Sequence, residues 1–161
     1  MTAMLDMMRK LKLTVNESKT HVCRVRDESF DFLGYIIGKF YSPRTGKAYW
    51  GARPSTKRVR RVCREVSAMT GRNSVLMDVP ERIASLNRVL VGWANYFRLG
   101  SASKAYRAVD AHSRRRLRQW LCRKYKLQGS GASRFPDAYL HERLGLAQLE
   151  VRPRNFSWAK A

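Results

Sequence analysis

Residues 47–71 read KAYWGARPSTKRVRRVCREVSAMTG, and the chain changes its period within them. Up to Arg53 the pattern suits an extended strand, with small and aromatic residues in place of a helical stripe. Pro54 closes that strand, since proline cannot donate to a central ladder. Ser55 is then placed to cap a helix, and Val59, Val62, Val66 and Met69 recur at spacings of three and four until Gly71 stops them. A β segment thus gives way to an α segment at one proline.

Toward the N-terminus the β character continues. SFDFLGYIIGKFY (29–41) reads as one long strand, joined to 47–53 through the turn SPRTG. Before it, LTV (13–15) and THVCRV (20–25) flank a polar turn at Asn16–Lys19 and read as a hairpin. Met4, Leu5, Met8 and Leu11 have helical spacing, so the chain opens within a helix.

Toward the C-terminus the helical period persists. Asp78, Pro80 and Glu81 predict a capped helix start by capping-box logic, followed by the stripe Ile83, Leu86, Leu90, Trp93 and Phe97. Gly100 ends this helix. Ser101 or Ser103 caps a third, with Tyr106, Val109, Leu117, Trp120 and Leu121 on one face. QGSGAS (128–133) is a flexible break, and a short helix from Pro136 to Leu144 precedes an extended basic tail. No internal repeat is present. The expected architecture is α+β, mainly α: N-terminal β-hairpins, then a three-helix bundle, because no single helix can bury its stripe alone.

Composition narrows the function. The 161 residues are 44% hydrophobic, which suits a globular domain, but 33 basic residues face only 12 acidic ones, for a net charge of +21. Residues 51–128 carry 19 of the basic and 4 of the acidic groups. Such a field favours a polyanionic partner. In the first helix after Pro54, Lys57, Arg60, Arg61 and Arg64 fall within an arc of about 100°, opposite the valines. In the third, Lys104, Arg107, Arg115 and Arg118 fall within a similar arc, with Arg114 beside them. Solvated faces usually mix both signs, since like charges at i,i+4 oppose a helix. The excess of Arg over Lys suits forked contacts to phosphate.

GWANYFRLG (92–100) places Trp93 and Phe97 on the core stripe, while Tyr96 lies off it and Asn95 points away, so these two are surface candidates. Gly92 would admit a neighbouring backbone. Asp110, among arginines at the edge of a stripe, suits an ion pair with Arg114 or another helix's arginine.

Little in the chain supports catalysis. The aspartates at 6, 27, 31, 78, 110 and 137 include no adjacent pair to hold two metal ions. His21, His112 and His141, and Cys23, Cys63 and Cys122, lack metal-ligand spacing, and no glycine-rich phosphate loop occurs. No activity is expected of this chain alone, and no cofactor or metal. No apolar run approaches the length of a membrane span, and the N-terminus has no cleavage-site pattern, so a cytoplasmic protein with no membrane partner is expected.

The blocks LKLTVNESKT (11–20), FDFLGY (30–35), RPSTK (53–57), NRVLVGWANYFRLG (87–100), VDAHSRRRLRQWL (109–121) and GLAQLEVRPRNFSWAKA (145–161) resemble, in order, the C-terminal part of bacterial group II intron-encoded reverse transcriptases, or maturases. The resemblance implies that residues 1–53 are the end of a polymerase palm and that 54–161 form the maturase-specific thumb, or X domain, which binds intron RNA and supports splicing. It implies that Lys19 corresponds to a palm lysine near the incoming nucleotide, and that Phe32, Leu33 and Gly34 correspond to a primer grip. The fingers, the catalytic aspartate strand and the family's endonuclease domain have no counterpart. A truncated reading frame is therefore expected, with Lys19 and Phe32–Gly34 idle.

Three functions follow. The first is an RNA-binding maturase module for structured group II intron RNA, or an RNA/DNA hybrid, contacting it through Lys57, Arg60, Arg61, Arg64, Asn95, Tyr96, Lys104, Arg107, Arg114, Arg115 and Arg118. The second is one part of a split RNA-directed DNA polymerase, active only with an N-terminal fragment and then requiring Mg2+. The third is a relic without function.

Overall fold

The computed structural model describes residues 2–14, 16, 23–24, 28–42 and 44–151. Helix α1 spans Thr2–Lys10, followed by strands β1 (Phe30–Phe32), β2 (Tyr35–Tyr41) and β3 (Ala48–Pro54). Helices α2 (Thr56–Met69), α3 (Val79–Tyr96) and α4 (Ser103–Lys124) come next. The expected hairpin over 13–25 falls largely outside the described residues, as does the tail beyond 151.

The three strands form one antiparallel sheet in the order β1-β2-β3. The single strand expected over 29–41 is in fact a hairpin. Phe32 pairs with Tyr35, and Leu33 (φ 52°) and Gly34 (φ 86°) form a two-residue loop between them. Both central residues have positive φ, as a type I′ turn requires. A leucine carries no such turn signal, so the sequence reads straight through. β2 and β3 pair from Tyr35↔Pro54 to Tyr41↔Ala48.

Ser55 caps α2 as its sequence suggests, its side chain accepting from the Arg58 amide at 3.4 Å. The other two predicted caps differ. Asp78 sits at the N-cap of α3, but its side chain makes no capping hydrogen bond. Ala102, not a serine, holds the N-cap of α4. The α3–α4 connection is instead fixed by the sheet: the Ser101 amide donates to the Ala52 carbonyl at 2.9 Å, beside Gly100 at φ 71°. A Cβ on Gly100 would lie 2.0 Å from that carbonyl oxygen, so only glycine allows the approach.

The core lies among α2, α3 and α4. Val62 and Val66 meet Ile83, Leu86 and Leu90 of α3 and Val109, Leu117, Trp120 and Leu121 of α4. Trp93 packs on Phe97 (5.0 Å between ring centroids) and on Tyr106 (5.8 Å). The Tyr106 hydroxyl is shared between the carbonyls of Ala94 (2.8 Å) and Phe97 (3.0 Å), which satisfies the C-terminal end of α3.

The helix expected over 136–144 is a short, wide helical turn at Tyr139–Arg143. Beyond it the chain returns across the bundle, burying Leu140, Leu146 and Leu149. Asn87 holds this return at both faces of its amide, donating to the Gly145 carbonyl and accepting from the Ala147 amide, each at 2.8 Å.

Asp110 is buried at its end. Its carboxylate accepts from the amides of Leu149 (3.1 and 3.0 Å) and Glu150 (3.1 Å), not from an arginine as expected. Burial raises its pKa; the two amides and Arg114 act against that rise.

Candidate nucleic-acid interface

α2 turns Val62 and Val66 inward, and the 3.6-residue period puts Lys57, Arg60, Arg61 and Arg64 in solvent. Among the described residues, none of these four forms an ion pair. α4 likewise exposes Lys104, Arg107 and Arg115. Arg107 reaches Glu150 at 3.5 Å in an exposed pair, which screening makes weak.

Between α2 and α4 lies an open cleft of about 620 Å³ lined by Lys57, Arg60, Cys63, Arg64, Ser67 and His112. His112 Nε2 is 2.9 Å from Ser67 Oγ, and its Nδ1 is 3.4 Å from Arg115 Nη2. A guanidinium can only donate, so Nδ1 accepts and Nε2 carries the proton it gives to Ser67. The imidazole is therefore neutral. Burial lowers its pKa; a hydrogen bond to the Cys63 backbone opposes that, and Arg115 and Arg116 add to it. The same burial raises the Cys63 thiol, so Cys63 stays protonated.

The remaining cations of α4 turn inward to the protein's own carbonyls. Arg116, which periodicity does not single out, donates to Thr70 Oγ1 (3.1 Å) and to the carbonyls of Ser67 (2.9 Å) and Thr70 (3.3 Å). It caps the C-terminus of α2, where the helix dipole favours a cation. Lys124 does the same for the Val75 and Met77 carbonyls, at 3.1 and 2.9 Å. Two residues expected on the RNA face are also engaged internally. Arg118 donates to the Phe135 carbonyl at 2.7 Å and pairs with Asp137, and Arg114 reaches the same carboxylate at 3.4 Å. Together they fasten the 131–137 loop to α4.

Asn95 is exposed on α3. Tyr96 is half exposed and ties the bundle to the sheet: its hydroxyl donates to the Leu33 carbonyl at 2.9 Å, and its own carbonyl accepts from Tyr35 at 2.6 Å. The Phe32–Gly34 turn thus rests on the end of α3, with Phe32 and Leu33 exposed. Lys19 lies outside the described residues.

A second groove, of about 480 Å³, runs between α2 and α3. Its rim carries Arg58, Arg61 and Arg88, and its floor is apolar. Trp93 Nε1 on that floor is buried with no acceptor among the described residues. The backbone approach expected at Gly92 does not occur: a Cβ there would meet nothing within 4 Å.

Among the described residues, no three His, Cys, Asp or Glu side chains stand together as a metal site, and no helix is long and apolar enough to cross a membrane.

Fold and surface together define a strongly basic α+β module whose three-helix bundle leaves one-signed faces in solvent. Residues 59–136, running from within α2 past the end of α4, match the family model described as "Group II intron, maturase-specific domain". A comparison of the chain with curated proteins finds no match.

Proposed function

We propose that the chain binds structured group II intron RNA in the bacterial cytoplasm and supports its splicing, with residues 54–161 as the binding thumb. The observation that carries this reading is the exposed quartet Lys57, Arg60, Arg61 and Arg64 on α2, three of which (Lys57, Arg60 and Arg64) line an open cleft that has no carboxylate on its lining. Phosphates drawn there release counterions, so affinity falls steeply with salt. Lys104, Arg107, Asn95 and Tyr96 are further exposed contact positions, whereas Arg114 and Arg118 hold the 131–137 loop. The test is binding of the full chain to a folded group II intron RNA across a salt series. A steep slope that flattens by about one per arginine removed at Arg60 or Arg64 supports the reading. An affinity indifferent to salt overturns it.

A second reading is favoured by the sheet, whose edge strand β1 is three residues long and whose Phe32, Leu33 and Trp50 are exposed. Such a sheet suits a remnant palm awaiting further strands, so the chain would complete a split reverse transcriptase. Lys19 and Phe32–Gly34 would regain palm and primer-grip roles, and Mg2+ would bind only on the added catalytic palm. Primer extension that stays absent when an upstream palm fragment is supplied would sink this reading.

A further inference from the structure

We infer that the groove between α2 and α3 is a seat for one unpaired nucleotide of the bound RNA, its base on the aromatic floor and its flanking phosphates on the arginine rim. The inference rests on the RNA-binding reading above and assigns a separate subsite within it. On α3, positions 88, 89, 92, 93, 96 and 97 share one face, and on α2 positions 58, 61, 62 and 65 face them. Val62 and Phe97 are buried beneath this face, so the floor open to a base is Val89 and the half-buried Trp93 ring, backed by Phe97. The Tyr96 ring stands at one end, fixed by its hydrogen bond to Leu33. A rigid aromatic surface of this kind accepts any base through its π-face.

Charge narrows the occupant. Arg58, Arg61 and Arg88 surround the apolar floor, and Glu65 is the one carboxylate on the lining. A purely apolar peptide segment would offer those guanidiniums no acceptor, whereas a nucleotide offers a flat ring and a phosphate together. Arginine also stacks on bases, so the rim can close over the ring it admits.

Gly92 supplies an independent observation. It sits at an exposed position inside α3, where glycine is less favourable than alanine, yet no neighbouring atom requires it. What its missing side chain does is keep the groove open along the α3 wall. A residue that weakens its own helix without a packing reason is accounted for by a ligand that needs the space.

The experiment uses the full chain and two RNA hairpins, one fully paired and one with a single-nucleotide bulge carrying 2-aminopurine. Wild-type protein should bind the bulged hairpin about tenfold more tightly, and the fluorophore should be quenched on stacking. Gly92→Leu, which fills the groove while improving helix propensity, should remove that preference and the quenching. Its affinity for the paired hairpin and its melting temperature should be no lower than wild type. Equal wild-type affinity for both hairpins, or a preference that survives in Gly92→Leu, overturns the nucleotide seat alone. Failure to bind either hairpin overturns the RNA-binding reading and the seat with it.

Discussion

Trp50 on β3 is 46% exposed, whereas Trp120 on α4 is fully buried with its indole N–H donating to the Ser74 carbonyl and hydroxyl at 3.2 and 3.1 Å. The contrast holds for the two regions as a whole. The sheet also exposes Phe32, Tyr41 and Tyr49, and joins the bundle mainly through Tyr35, the Leu33–Gly34 turn and Ala52. The bundle closes its core with Leu86, Leu90, Leu117, Leu121, Leu140 and Leu149, all at most 1% exposed. The bundle is thus a finished hydrophobic unit, while the sheet covers only the side it turns to the bundle. Stability should be concentrated in α2–α4, with the sheet opening at lower free energy.

The sharpest way to break that comparison is a matched pair of tryptophan substitutions. Trp120→Ala should cost about 3–5 kcal/mol, because it removes a fully enclosed ring and orphans the Ser74 contacts. Trp50→Ser should stay within about 0.5 kcal/mol. Denaturant melts followed by far-UV circular dichroism measure both. A Trp50 cost comparable with that of Trp120 would mean that the sheet is an integral part of the core.

Arg116 and Arg60 sharpen it next, since both are arginines on bundle helices with opposite duties. Arg116→Ala removes the cation from the Ser67 carbonyl and leaves Thr70 only the longer contact from Arg123, and should cost about 1.5–3 kcal/mol. Arg116→Lys should recover only part, because a single ammonium cannot reproduce the fork. Arg60→Ala should leave stability within about 0.5 kcal/mol and lower RNA affinity instead.

Tyr96→Phe tests the joint between the two regions. It removes one hydrogen bond to an exposed turn, so about 0.5–1 kcal/mol is at stake. Amide exchange should quicken in β1 and β2 and remain unchanged in α4. Uniform acceleration across the chain would show that sheet and bundle open together.

These residues also mark what the sequence could and could not disclose. The change of period at Pro54, the valine stripe of α2 and the stripes from Ile83 to Phe97 and from Tyr106 to Leu121 were legible, because burial on a helix leaves a 3.6-residue trace. The Leu33–Gly34 turn was not, since it places a leucine at positive φ, where a turn is ordinarily marked by Asn or Gly. Nor could spacing separate Arg60, exposed on α2, from Arg116, half-buried against its end. Both lie on amphipathic helices, and only the position of α2's terminal carbonyls distinguishes them. Asp110 was read as an ion-pair partner because its nearest cations in sequence are arginines. Its actual donors are amides some forty residues away, and periodicity carries no signal of a returning chain.

The smallest effect is a pH dependence located in the bundle. His112 is held neutral in the folded protein, first by burial and further by Arg115 and Arg116, so its pKa lies below the usual 6.5. In the unfolded chain the imidazole takes up its proton near that usual value. Above about pH 6.5 both states are neutral and the stability is fully present. As the pH falls below that value, the unfolded state binds a proton that the folded state resists, and stability is lost until the folded imidazole titrates as well. Asp110 acts in the opposite direction at lower pH: its raised pKa means that the folded state gains a proton before the unfolded one. Comparison with His112→Gln, which keeps a donor for Ser67 but cannot titrate, isolates the histidine. Between about pH 8 and pH 6 the wild-type melting temperature should drop more than that of His112→Gln. Equal drops would mean that the Ser67–His112–Arg115 chain opens freely to water, and that the cleft between α2 and α4 is less well ordered than its hydrogen bonds imply.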